Sequence, residues 1–157
     1  MMNLFTVSLF GHRHPERARG VESRLWGLLR ELFEKHEYLE FLIGRNGDFD
    51  LLAASVIRRA MQAYGRERGV LVLVLPYSTA EWQKDGQALL LYYDEVEIFA
   101  GANGTFYKAA IPARNRHMVD RSQLVVCWLE KESGGTFQTI RYAKKRGKDV
   151  LNLAVDE

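Results

Sequence analysis

The tetrapeptide Ser133-Gly134-Gly135-Thr136 lies between an apolar run, residues 123–129 (QLVVCWL), and a helix-like segment, residues 137–146. A small glycine-bearing turn between strand and helix leaves several main-chain N–H groups without partners. It also points the positive end of the helix dipole outward. Phosphates and carboxylates bind at such turns. Three other polar clusters could join it. Gly11-His12-Arg13-His14-Pro15 follows the first apolar run, and Gly44-Arg45-Asn46-Gly47-Asp48-Phe49-Asp50 follows the second. Arg114-Asn115-Arg116 precedes residues 123–129.

Each cluster also has a plain structural reading. Gly11 can simply end a strand, with His12 and Arg13 solvated beside it. Asp48 and Asp50 can serve as helix caps, as can Ser133 and Thr136. Arg114 and Arg116 can form a solvated helix face. Other chemical templates fit poorly. The chain has neither the GxGxxG dinucleotide fingerprint nor the GxxxxGK[ST] loop. His12, His14, His36 and His117 lack metal-ligand spacing, so no metal and no cofactor is expected. No GxSxG elbow is present, and no residue stands out as catalytic.

The elements that must position these residues alternate along the chain. Residues 4–10, 38–43, 70–75, 95–99, 123–129 and 149–155 read as strands, and residues 16–35, 50–68, 106–121 and 137–146 as helices. Val21, Leu25, Leu28, Leu29, Leu32 and Phe33 fall on one face of the first helix. Leu51, Leu52, Val56, Ala60 and Tyr64 are the inward candidates of the second. VLVLVL at 70–75 is apolar at every position, as in a central parallel strand. The series predicts an α/β, Rossmann-like, doubly wound fold: a mainly parallel sheet with helices on both faces. Residues 76–94, carrying Tyr77, Trp82, Tyr92, Tyr93 and Asp85-Gly86, read as a long loop with a short helix. In such a sheet ligands bind beyond the carboxyl ends of the strands, where the glycine-bearing turns fall.

The 157 residues are expected to form a single domain. With 22 basic and 20 acidic residues the net charge is +2, too balanced to indicate nucleic-acid binding. Cys127, the single cysteine, lies in an apolar run and reads as a buried thiol. No apolar stretch approaches the ~20 residues of a membrane span, and no signal peptide is evident, so no membrane association and a cytoplasmic location are expected.

Several motifs recur together in one known group. Phe10-Gly11-His12-Arg13, the Gly44-x-x-Gly47-x-Asp50-x-x-Ala53 pattern, Arg114-Asn115-Arg116-x-Met118, and Ser133-Gly134-Gly135-Thr136 with Thr139 and Ala143 occur in order. The chain resembles the SLOG superfamily of Rossmann-like domains, which includes DprA, the LOG phosphoribohydrolases and YpsA-like proteins. The opening is most similar to the YpsA-like branch. The resemblance implies one SLOG-like domain over residues 1–157 with a site for a nucleotide or related phosphorylated ligand. The residues it implies are Gly11, His12, Arg13, Gly44, Arg45, Asn46, Gly47, Asp48, Arg114, Asn115, Ser133, Gly134, Gly135 and Thr136. In LOG-type enzymes the turn reads PGGxGTxxE. Here Thr139 stands where that glutamate would be, so the motif carboxylate is missing.

The function expected first is binding or sensing of a nucleotide. The alternatives are LOG-like hydrolysis of the N-glycosidic bond of nucleoside monophosphates, and DprA-like binding of single-stranded nucleic acid. Whether a ligand is turned over stays open. Nucleic acid is expected to be an unlikely partner, given the charge balance. A homodimer is expected by analogy, with Leu39 and Phe41 counted as surplus apolar surface near the second strand.

Overall fold

The computed structural model describes residues 3–99 and 107–155. Six strands form one sheet: β1 (Leu4–Gly11), β2 (Tyr38–Ile43), β3 (Gly69–Leu75), β4 (Glu95–Ile98), β5 (Leu124–Trp128) and β6 (Asp149–Asn152). Their order is β4-β3-β2-β1-β5-β6, and every pairing is parallel. The helices are α1 (Arg19–Lys35), α2 (Asp48–Tyr64), α3 (Ala80–Tyr92), α4 (Tyr107–Arg121) and α5 (Gly134–Lys145). This is the expected Rossmann-like architecture.

Alternate strand residues feed two separate cores, because successive side chains point to opposite faces. Val7, Leu9, Phe41, Ile43, Leu71 and Leu73 pack with Leu25, Leu29, Val56 and Ile57 of α1 and α2. Phe10, Leu42, Val72, Val74 and Cys127 pack with Met118 and Val119 of α4 and Ile140 of α5. Leu39 and Phe41 are fully buried, so they offer no surplus surface to a second copy. Five of the six residues assigned to the inner face of α1 are buried, and Leu28 is partly so. Leu51 of α2 is the exception, 44% exposed.

The segment 76–94 differs from expectation. It holds α3, whose N-terminus is capped by Thr79 Oγ1 accepting from the Trp82 N–H at 3.1 Å. Asp85-Gly86 marks a kink inside that helix, with Asp85 at φ −124°, ψ 30°. Leu89 alone is buried, while Leu90 and Leu91 face outward. That uneven burial is why no 3.6-residue period shows in the sequence. The other shifts are at element ends. Helix α2 stops at Tyr64 and a 3-10 turn, Arg66–Arg68, leads into β3. Phe106, expected in α4, lies outside the described residues.

Candidate functional site

The strand order turns back at β1, with β2 on one side and β5 on the other. The crevice at such a reversal is where open α/β sheets bind ligands. A cavity of about 600 Å³ opens there. Its floor is the end of β1 (Leu9, Phe10 and Gly11) together with Gly44 after β2. The loops after β1 and β2 form one wall, and Ile111, Arg114 and Asn115 of α4 with Ser133–Thr136 form the other. All the site residues expected from the sequence line it except Gly47 and Asp48.

Arg114 sets the character of this cavity. Its side chain is 2% exposed. Nη1 donates to Val74 O at 2.7 Å, and Nε donates to Asn115 Oδ1 at 2.9 Å. Asn115 Nδ2 then donates to Thr139 Oγ1 at 3.1 Å, and Thr139 Oγ1 donates to Gly135 O at 2.9 Å. This chain of bonds ties the end of β3 to α4 and to the first turn of α5. It also occupies Thr139, the position of the LOG glutamate, in holding the turn. Among the described residues the Nη2 group of Arg114 has no hydrogen-bond partner. Burial pushes the guanidinium pKa down to about 10, with Asp50 and Tyr77 acting in the opposite sense.

Asp50 lies deep beside Arg114, its remaining exposure facing the cavity. A Cβ built on Gly44 would stand 3.0 Å from Arg114 Nη1 and 3.2 Å from Asp50 Oδ2, so the two groups flank that glycine. They form no ion pair with each other. Asp50 instead accepts the Asn46 N–H at 2.9 Å. Burial raises its pKa to about 6, against that bond and the charge of Arg114. Asp50 therefore serves at the third position of α2 by reaching back to the loop, in the manner of a capping box.

The α5 turn presents its amides as the sequence suggested. Ser133 occupies the N-cap in extended conformation and its hydroxyl caps nothing. Gly134 has φ +89°, and a Cβ at Gly134 or Gly135 would meet nothing within 4 Å. Gly134, Gly135 and Thr136 are the first residues of the helix, whose N–H groups have no intrahelical acceptor. All three residues line the cavity.

The glycines of the first two loops do different work. A Cβ on Gly11 would run into the buried Phe49 ring, 2.6 Å from Phe49 Cβ. At Gly47 it would sit 2.5 Å from Arg13 Cα. These glycines let the protein pack against itself and lay one loop over the other. The Asp48 N–H donates to Arg13 O at 2.7 Å, and Arg13 Nε donates to Asn46 O at 2.8 Å. Asp48, which does not line the cavity, also meets Nδ1 of His14, which does, at 3.1 Å.

His12 joins the first loop to the third. Its Nε2 accepts the Glu130 N–H at 2.8 Å, which requires the neutral ring. Burial lowers its pKa, opposed by Glu130. The Glu130 carboxylate accepts from the N–H groups of Glu16 and Arg17, both at 2.8 Å. Arg45 lines the cavity yet is committed elsewhere: it forks onto Glu81 at 2.8 and 3.1 Å and donates to Tyr93 Oη at 3.1 Å. The Glu81 bonds hold its pKa above the ordinary value.

Four polar cavity residues were not singled out as ligand-binding from the sequence: His14, Asp50, Tyr77 and Lys131. Asp50 was read as a cap and motif residue, although its carboxylate is on the floor. Tyr77 stands two residues beyond VLVLVL, after Pro76, and the same strand-end rule that selected the glycine turns would have selected it. Lys131 stands on the rim before the α5 turn.

No protein-family model matches the chain, and no curated protein matches it. Two solved structures do share its fold. DNA processing protein A (DprA) of Streptococcus pneumoniae superposes with a TM-score of 0.67 at 21% identity, covering 94% of this chain and 49% of its own. DprA of Helicobacter pylori gives 0.63 at 18% identity, covering 93% and 63%. The chain thus spans about half the length of the first and 63% of the second. At these identities the likeness shows a shared Rossmann-like fold. The second structure was solved for its unique single-stranded DNA binding mode. That overturns the expectation that nucleic acid is an unlikely partner. A near-neutral overall charge says little about a local cleft, where a few donors in a low-dielectric recess suffice.

Proposed function

We propose that the cavity binds a phosphate-bearing nucleotide unit of single-stranded nucleic acid. The observation that carries this reading is the buried Arg114 guanidinium, whose Nη2 has no hydrogen-bond partner among the described residues, set in the same cavity as Gly134, Gly135 and Thr136, whose amides the Ser133 side chain does not cap. A buried cation without an ion-pair partner is costly, and an anion compensates it. Arg13 and Lys131 on the rim would attract a polyanion. The single-stranded DNA binding described for H. pylori DprA supports the same reading. The Phe10-Gly11-His12-Arg13 opening supports a place near the YpsA-like branch, with residues 1–157 as one SLOG-like domain.

The test is binding of a fluorescently labelled single strand followed across salt concentration. Each phosphate neutralised contributes about −0.7 to the slope of log K against log salt. Binding that is absent, or indifferent to salt, overturns the reading. One observation favours a second reading, a free nucleotide as ligand. The cavity volume of about 600 Å³ falls within the range of small-molecule sites. A thermal-shift screen of nucleotides tests it: a ligand at a hundred times its Kd stabilises by about 2.7 kcal/mol.

A further inference from the structure

From the shape of this cavity we infer a narrower ligand: the terminal phosphomonoester of a single strand, rather than a phosphodiester within it. This rests on the reading of the cavity as a nucleic-acid phosphate site.

The inference starts from the floor. Leu9, Phe10 and Gly11 belong to a central strand hydrogen-bonded on both sides, and Gly44 continues the neighbouring strand. Among the described residues the cavity therefore ends against the sheet on that side. A phosphodiester carries a sugar on each side and needs two exits. A terminal phosphate needs one. The deepest cationic donor is Arg114, 2% exposed, so a phosphate that reaches it must lead into the recess rather than pass across its mouth.

The donors also suit a group with three free oxygens. Arg114 approaches from α4, and the amides of Gly135 and Thr136 approach from the start of α5. The Asn115 and Thr139 bonds fix these two sides relative to each other. A phosphodiester has only two unesterified oxygens and one negative charge. A monoester has three, with a charge between −1.5 and −2 at neutral pH. Asp50 on the same floor would repel such a group if ionised. Burial raises its pKa to about 6, and an adjacent anion shifts it further toward the protonated form. A protonated Asp50 can donate to phosphate.

The experiment compares four labelled ligands of one sequence with wild-type protein and Gly135→Ala. They are a 5′-phosphorylated strand, a 3′-phosphorylated strand, the same strand with both ends hydroxyl, and the 5′-terminal nucleoside monophosphate alone. At least one phosphorylated strand is expected to bind tenfold or more tightly than the hydroxyl strand, and the better of the two ends identifies the strand polarity. In Gly135→Ala the tenfold preference is expected to shrink to under threefold. Equal binding of all three strands overturns the terminal-phosphate inference while the proposed function stands. A preference that survives Gly135→Ala unchanged overturns it as well. A mononucleotide that binds as tightly as the strand also overturns it, in favour of the free-nucleotide reading. No binding by any strand overturns the inference together with the proposed function.

Discussion

Asp50 gives the sharpest energetic prediction. Burial moves its carboxyl from an ordinary 3.8 to about 6, a shift of about two units, and each unit corresponds to about 1.4 kcal/mol. Below pH 4 the group is protonated in both folded and unfolded chains and costs nothing. Between about pH 4 and 6 the unfolded chain gives up the proton while the folded one keeps it. Stability therefore falls as pH rises through that window, and above it a penalty of about 3 kcal/mol is fully present. Asp50→Asn keeps an oxygen for the Asn46 N–H and removes the charge. The variant is expected to be more stable than wild type at pH 7–8 by up to about 3 kcal/mol, with a smaller gain because the cavity admits solvent. At pH 4 the two are expected to agree. Urea denaturation of both proteins at unit pH steps reads the difference directly, free of the other titrating groups. Parallel curves would refute the placement of an ionisable Asp50 in a poorly solvated site. A less stable Asp50→Asn at pH 8 would mean that the attraction to Arg114 outweighs burial.

Other substitutions separate packing from binding. Gly11→Ala forces a methyl group into the Phe49 ring, and a loss of about 3 kcal/mol is expected, the upper part of the overpacking range. Adding Phe49→Leu should recover part of it in denaturant melts, and an unaffected Gly11→Ala would contradict the close packing. Gly134→Ala is expected to cost about 1–2 kcal/mol because φ is +89°. Gly135→Ala, with open space at its Cβ and no positive φ, is expected to leave Tm unchanged or slightly raised. His12→Phe removes the acceptor for the Glu130 N–H and should cost about 1–3 kcal/mol above pH 7. In the wild type the lowered His12 pKa makes stability fall as pH drops through 6.5, a slope that the His12→Phe difference curve should isolate.

The sheet and its two faces were legible because an unbroken apolar run and a 3.6-residue period leave different signatures. Leu4–Gly11, VLVLVL and the α1 face each carried one. Helix α3 was not, since it buries little beyond Leu89 and contains the Asp85 kink. The cavity was legible through a topological rule, and its polar turns converge as that rule requires. What each glycine does was not legible. Gly134 and Gly135 face the cavity, whereas Gly11 and Gly47 accommodate Phe49 and Arg13 from distant parts of the chain. The burial of Arg114 was hidden too, because α4 carries charged residues around its circumference and Arg116, two positions on, is exposed. Overall charge misled most: a sum over 157 residues does not report where one guanidinium lies.

The central claim is that main-chain amides at the start of α5 and the Arg114 guanidinium together hold phosphate. Gly135→Ala tests it most directly, because Gly135 lines the cavity and a methyl group there meets nothing within 4 Å. Single-strand affinity should fall tenfold or more at fixed salt, with an unaltered or higher Tm. A Gly135→Ala protein that binds the strand as tightly as wild type would contradict the account.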